Sequence, residues 1–195
     1  MKSDIVLAGV GGQGILTIAT ILGSAALADN LYLKQAEVHG MSQRGGDVQS
    51  NLRLSSDPIH SDLIPLGGAD LIVSLEPMEA LRYLPYLSAN GWIVTSTLPF
   101  VNIDNYPEMH RIEEELSRHD RVVAFDMEEV AKSVASARSS NLTLLGAASP
   151  FIDIPAEKIE KAIAQVFGAK GENIVQANIA AFRAGREKAT EMCNK

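Results

Sequence analysis

The amino-acid sequence predicts an α/β protein with a doubly wound, mostly parallel sheet and a helical C-terminal region, and three observations carry that prediction. Residues 4–10 (Asp-Ile-Val-Leu-Ala-Gly-Val) form a short, nearly continuous apolar run, the pattern of a strand buried on both faces. A glycine turn follows, and then Ile15, Leu16, Ala19, Leu22, Ala26 and Leu27 recur at near-helical spacing up to residue 28. Strand-like and helix-like stretches alternate as far as Asn141, after which only helical stretches remain. That order places helices on both faces of a sheet and adds a helical end.

The remaining elements follow in sequence. Asp29-Asn30 ends the first helix, and residues 31–38 read as a second strand. Residues 39–47 hold three glycines and no large aliphatic side chain except Met41, which makes a loop. Residues 48–54 read as a strand that follows the second without an intervening helix, so they lie antiparallel or at an edge. Residues 69–75 are a buried strand, and 76–87 a helix with Pro77 in its first turn, where proline is tolerated. Strands at 91–96 and 121–125 alternate with helices at 107–119 and 127–137. Helices at 142–152, 155–167 and 173–192 close the chain, with Pro155 as a first-turn residue and Gly168 as a stop. Nothing in the 195 residues marks an internal repeat or a linker, so a single domain over 1–195 is expected.

Composition removes several functions. The net charge is −7, which repels a phosphate backbone at long range and argues against nucleic acid. The acidic runs Glu113-Glu114-Glu115 and Asp126/Glu128/Glu129 read as solvated helix faces. The chain has one cysteine, Cys193, which forms no internal disulfide and cannot hold an iron–sulfur cluster. No stretch approaches the roughly 18 apolar residues of a membrane span, and the N-terminus does not read as a signal peptide. A cytoplasmic location is expected.

Two loops carry the chemistry. Gly9-Val10-Gly11-Gly12-Gln13-Gly14 matches G-x-G-x-x-G between a strand and a helix, the context that gives the motif meaning. Glycine permits the tight turn, a missing side chain lets a ligand reach the backbone, and the helix N-terminus offers N–H groups to a phosphate. Gln13 can add an amide. The bland alternative is close packing of strand on helix. The second loop is His39-Gly40-Met41-Ser42-Gln43-Arg44-Gly45-Gly46-Asp47. Arg44 offers a planar fork of donors to a phosphate or carboxylate, Ser42 and Gln43 add hydrogen bonds, and Gly45-Gly46 leave the backbone open. Following a strand parallel to the first, this loop belongs at the same sheet edge, and the two make one anion pocket. The alternative is a surface loop whose arginine pairs with Glu37 or Asp47.

Glu37 lies near the place where a nicotinamide-binding fold carries its ribose-binding acid. A lone histidine such as His39 is more often structural than catalytic. No G-x-S-x-G turn, zinc-spaced His/Cys cluster or Walker lysine is present. The chain shows a binding site without visible catalytic groups, as expected of a subunit that holds a ligand while another chain does the chemistry.

The paired loops, with the closing segment Asn178-Ile179-Ala180-Ala181-Phe182-Arg183-Ala184-Gly185, resemble the gamma-type domain of the 2-oxoacid:ferredoxin oxidoreductases over the whole chain. The layout is most similar to beta subunits of the indolepyruvate branch. The resemblance implies a pyruvate/ketoisovalerate oxidoreductase gamma-type domain. It implies a role in converting a 2-oxoacid and coenzyme A to acyl-CoA, CO2 and reduced ferredoxin, with the isolated chain inactive. Thiamine diphosphate and iron–sulfur clusters are then expected on a larger alpha subunit, ferredoxin is an indirect partner, and this chain holds no cofactor by itself beyond contact with CoA. Carried over by position, Gly11, Gly12, Gln13 and Gly14 with Ser42, Gln43 and Arg44 face the CoA phosphates. The same surface could serve the partner interface. A free-standing nicotinamide-binding oxidoreductase, an adenylating enzyme and a scaffold with a vestigial pocket remain as other readings.

Overall fold

The computed structural model describes residues 1–39 and 45–194, with the side chain of His39 left out. Among the described residues, six strands form one sheet in the order β2-β3-β1-β4-β5-β6. They are β1 (Lys2–Val10), β2 (Tyr32–His39), β3 (Asp47–Ser55), β4 (Ala69–Ser74), β5 (Leu87–Ser96) and β6 (Val122–Phe125). The helices are α1 (Ile15–Ala28), α2 (Pro77–Arg82), α3 (Met109–Ser117), α4 (Met127–Val134), α5 (Ser140–Ala148), α6 (Ala156–Phe167) and α7 (Glu172–Cys193). β1, β4, β5 and β6 are mutually parallel, and β3 runs against both β1 and β2.

The two-residue period of a strand divides the core. Ile5 and Leu7 of β1 face one way and pack with Leu52, Leu71 and Val94 under α1, α5, α6 and α7. Val6 and Ala8 face the other way and pack with Ile72 and Ile93 under α2 and α3. α1 stops where Asn30 takes the left-handed conformation (φ 56°) and Leu31 N–H donates to the Ala26 carbonyl, which satisfies the last turn and sends the chain into β2. α5 is buried along almost its whole length, as its continuous apolar composition requires.

Of the two arrangements expected for β3, the structure has the antiparallel one, with β3 between β1 and β2. Two expectations are corrected. The expected helix over 76–87 ends at Arg82, and Leu84–Tyr86 form a 3₁₀ turn containing Pro85, because proline has no N–H for the helix to use. The expected helix over 142–152 ends at Ala148, and Pro150 sits in the 3₁₀ turn Ser149–Phe151.

Polar contacts tie the sheet to its flanks. Asp4 is almost fully buried and receives a two-pronged contact from Arg53, Nε to Oδ1 at 2.7 Å and Nη2 to Oδ2 at 3.0 Å. Arg53 Nη1 also donates to the carbonyls of Ser61 and Leu63, so one side chain both neutralises a buried carboxylate and pins the 56–68 connection.

Candidate functional site

The site forms where β1, β4, β5 and β6 all end, the edge at which sheets of this kind hold ligands. β1 leads into the glycine turn. Gly14 is the residue before α1 and takes the left-handed conformation at φ 78°. A side chain there would be strained, and its first carbon would sit 2.7 Å from Asn141 Nδ2. Asn141 itself, from the start of α5, donates Nδ2 to the Gly14 carbonyl at 3.2 Å. Gly12 has φ 104°, and among the described residues no atom lies within 4 Å of where a side chain's first carbon would sit. α1 starts without a side-chain cap and without an acidic residue in its first turn, which leaves its positive end uncompensated by its own residues. Gln13 spends its carbonyl oxygen inside the turn: Oε1 accepts from Val10 N–H at 2.8 Å. The remaining amide nitrogen is the part of Gln13 that is available to donate.

The second loop reaches the same place. Gly11 N–H donates to the Gly46 carbonyl at 2.8 Å, and Gly45 N–H to the Gly11 carbonyl at 3.4 Å. Gly45 and Gly46 therefore sit directly against the glycine turn. Ser42, Gln43 and Arg44 lie outside the described residues. Glu37 does not approach the turn. It is level with Leu7 through Ser50, and with β3 intervening it stands two strand spacings, roughly 10 Å, to the side of β1. Its carboxylate accepts from Gln35 at 2.6 Å. The ribose-binding role of a nicotinamide fold needs β2 beside β1, so this topology opposes that reading.

A third segment, absent from the sequence argument, completes the edge. Residues 97–106 run from β5 past the turn, and Asn102 Nδ2 donates to the Gly45 carbonyl at 2.7 Å. Beneath this strap lies Glu76, fully buried between β4 and the start of α2. One carboxylate oxygen accepts from Glu79 N–H at 2.7 Å; the other accepts from Phe100 N–H at 3.4 Å and from the Tyr106 hydroxyl. Burial pushes the Glu76 carboxyl above the usual carboxylate range despite these donors, and burial together with the Glu76 contact raises the Tyr106 phenol. A cavity of about 220 Å³ opens between turn and strap, lined by Gln13, Leu75, Ser96, Leu98, Phe100 and Ser140 among others. It is smaller than a typical whole-ligand pocket. Glu128 on its wall is paired with Lys132 at 2.6 Å.

Periodicity could not show Glu76, Tyr106, Asn102 or Asn141 as site residues. The one available signal was Glu76-Pro77 at a strand-to-helix junction, which marks a helix start but says nothing of a buried carboxylate.

Fold and site together define a Rossmann-like α/β domain with a glycine-lined edge where its parallel strands end. The chain belongs to the pyruvate ferredoxin/flavodoxin oxidoreductase family, whose pattern matches residues 4–188. It is 37% identical to indolepyruvate oxidoreductase subunit IorB of Pyrococcus horikoshii, over 98% of both chains. Among solved structures it is similar to the gamma subunit of a keto/oxoacid ferredoxin oxidoreductase from Geobacter sulfurreducens, with TM-score 0.69 and 25% identity over 97% of this chain and 99% of that one. It also shares the fold of part of the 2-oxoglutarate:ferredoxin oxidoreductase of Magnetococcus marinus, solved with 2-oxoglutarate, coenzyme A and succinyl-CoA bound. That match has TM-score 0.76 and 22% identity, and covers 97% of this chain but 31% of the longer one. Among the described residues, no helix is long and apolar enough to cross a membrane.

Proposed function

We propose that this chain is the non-thiamine subunit of a 2-oxoacid:ferredoxin oxidoreductase of the indolepyruvate (arylpyruvate) type. The enzyme converts a 2-oxoacid and CoA to acyl-CoA and CO2, and passes the two electrons released to ferredoxin. The observation that carries this reading is the identity of 37% along the full length of an indolepyruvate oxidoreductase subunit. The chain's own residues fit a binding role. The backbone N–H groups of Gly12 and Gly14 and of the first turn of α1 present donors to the CoA phosphates, and Ser42, Gln43 and Arg44 are proposed as further phosphate contacts. The chain's single cysteine, Cys193, does not fit a cluster-binding role. The thiamine and iron–sulfur chemistry therefore belongs to a larger partner subunit, which also faces ferredoxin.

Co-expression with the thiamine-bearing subunit tests this. The purified chain alone is expected to give no 2-oxoacid-dependent ferredoxin reduction, and the reconstituted pair to give it only with CoA present. Activity from the isolated chain, or binding of NADH in preference to CoA, would overturn the assignment.

A further inference from the structure

We infer that Glu76 is a positioning residue that holds the glycine edge in shape through the 97–106 strap, an inference that adds to the CoA-binding reading above. The strap's apolar residues are only partly buried: Leu98, Phe100, Val101 and Ile103 stay 42%, 45%, 68% and 40% exposed, while Tyr106 packs against the core under α2 and α3. Polar anchors add to this packing and fix where the strap runs. Leu98 N–H donates to Ser96 Oγ at 3.2 Å, Phe100 N–H and the Tyr106 hydroxyl converge on one oxygen of Glu76, and Asn102 Nδ2 reaches the Gly45 carbonyl at 2.7 Å. Gly45 N–H in turn meets the Gly11 carbonyl. A continuous path therefore runs from the buried carboxylate through the strap and Gly45 to the glycine turn.

The plainer role for Glu76 is to cap α2, and it does so: its second oxygen accepts from Glu79 N–H. Capping occupies one oxygen only. The other takes two strap donors, and its backbone is fixed as well, since Ser74 Oγ donates to the Glu76 carbonyl at 2.7 Å and accepts from Glu76 N–H at 3.1 Å. A fully buried carboxylate is costly unless its lone pairs are used, and here both oxygens are. A shorter side chain separates the two roles. Aspartate caps helices well but lacks the methylene that carries the carboxylate out to Phe100 and Tyr106.

The test uses Glu76→Asp, Tyr106→Phe and Asn102→Ala in the full chain, with Glu113→Gln as a surface control, and follows amide hydrogen exchange. Glu76→Asp is expected to speed exchange about tenfold or more at residues 97–106 and at Gly45, while amides of α2 stay protected. Asn102→Ala is expected to do the same at Gly45 alone, and Tyr106→Phe to have a smaller effect on the strap. In the reconstituted enzyme, Glu76→Asp should raise the KM for CoA severalfold with kcat little changed. Unchanged exchange at Gly45 in Glu76→Asp and Asn102→Ala, or faster exchange confined to α2 in Glu76→Asp, would reduce Glu76 to a helix cap. Faster exchange at Gly45 with an unmoved KM for CoA would uphold the positioning role and place CoA elsewhere.

Discussion

Replacing Gly146 with valine is expected to remove much of the chain's stability. Gly146 of α5 and Gly185 of α7 are points at which the backbones of those helices approach closely. A first side-chain carbon on Gly146 would lie 1.9 Å from the Phe182 carbonyl oxygen, and one on Gly185 would lie 2.0 Å from that of Thr143. A flexible neighbour could turn aside, but a helix backbone cannot, so α5 and α7 would have to separate. α5 is the central helix of the larger core, packed with Phe182, Ala181 and Leu22, and any retreat opens voids along that whole contact. Overpacking of a tight core costs about 1–3 kcal/mol and more where backbone must shift, against a total of roughly 5–15 kcal/mol for a domain. A loss of about 3 kcal/mol or more is expected from urea unfolding of Gly146→Val. Gly168→Ala is the control, because a side chain at Gly168 meets nothing within 4 Å; it should stay within about 0.5 kcal/mol of the parent. A loss under about 1 kcal/mol for Gly146→Val would mean that the two helices are not in the contact described.

Gly12→Asp is the functional counterpart, with the largest expected effect on ligand use. Among the described residues, no atom lies within 4 Å of a first side-chain carbon at Gly12, so a carboxylate there is accommodated and faces the position proposed for the CoA phosphates. Like charges brought together at a binding surface cost several kcal/mol. A loss of about 2–3 kcal/mol, or roughly 30–150-fold in kcat/KM for CoA, is expected. Gly12→Ala isolates the cause. It shares the backbone strain of φ 104° without the charge, so it should destabilise the turn yet reduce CoA use far less. Equal losses for alanine and aspartate would show that strain, not repulsion, acts at this position.

What could be read from the sequence was local. The run 4–10, the glycines after it and the periodic residues 15–27 specify strand, turn and helix within one stretch, and the structure has them there. The strand-to-helix order up to Asn141 and the helical end were legible for the same reason. The place of β3 was not. Its partners are set by register across the sheet, with Ser50 between Leu7 and Glu37, and no local pattern records which strand sits between two others. That single insertion moves Glu37 away from the turn and separates this topology from a nicotinamide fold. The convergence of the two glycine loops was inferable because both follow parallel strands. The strap was not, because its anchors Glu76, Asn102 and Tyr106 come from three distant segments and act through hydrogen bonds that periodicity does not register. Asn141 marked only a change of pattern in the sequence; in the structure it is what fills the space beside Gly14.

The reading of the glycine edge as the CoA-facing surface is tested most directly by mapping backbone amide shifts in the full-length chain as CoA is added. The account predicts that Gly11, Gly12, Gly14, Gly45 and Gly46 move together and saturably, and that Gly171 and Gly185 at the helical end do not. Saturable shifts confined to another surface, or none at CoA concentrations that saturate the assembled enzyme, would contradict it.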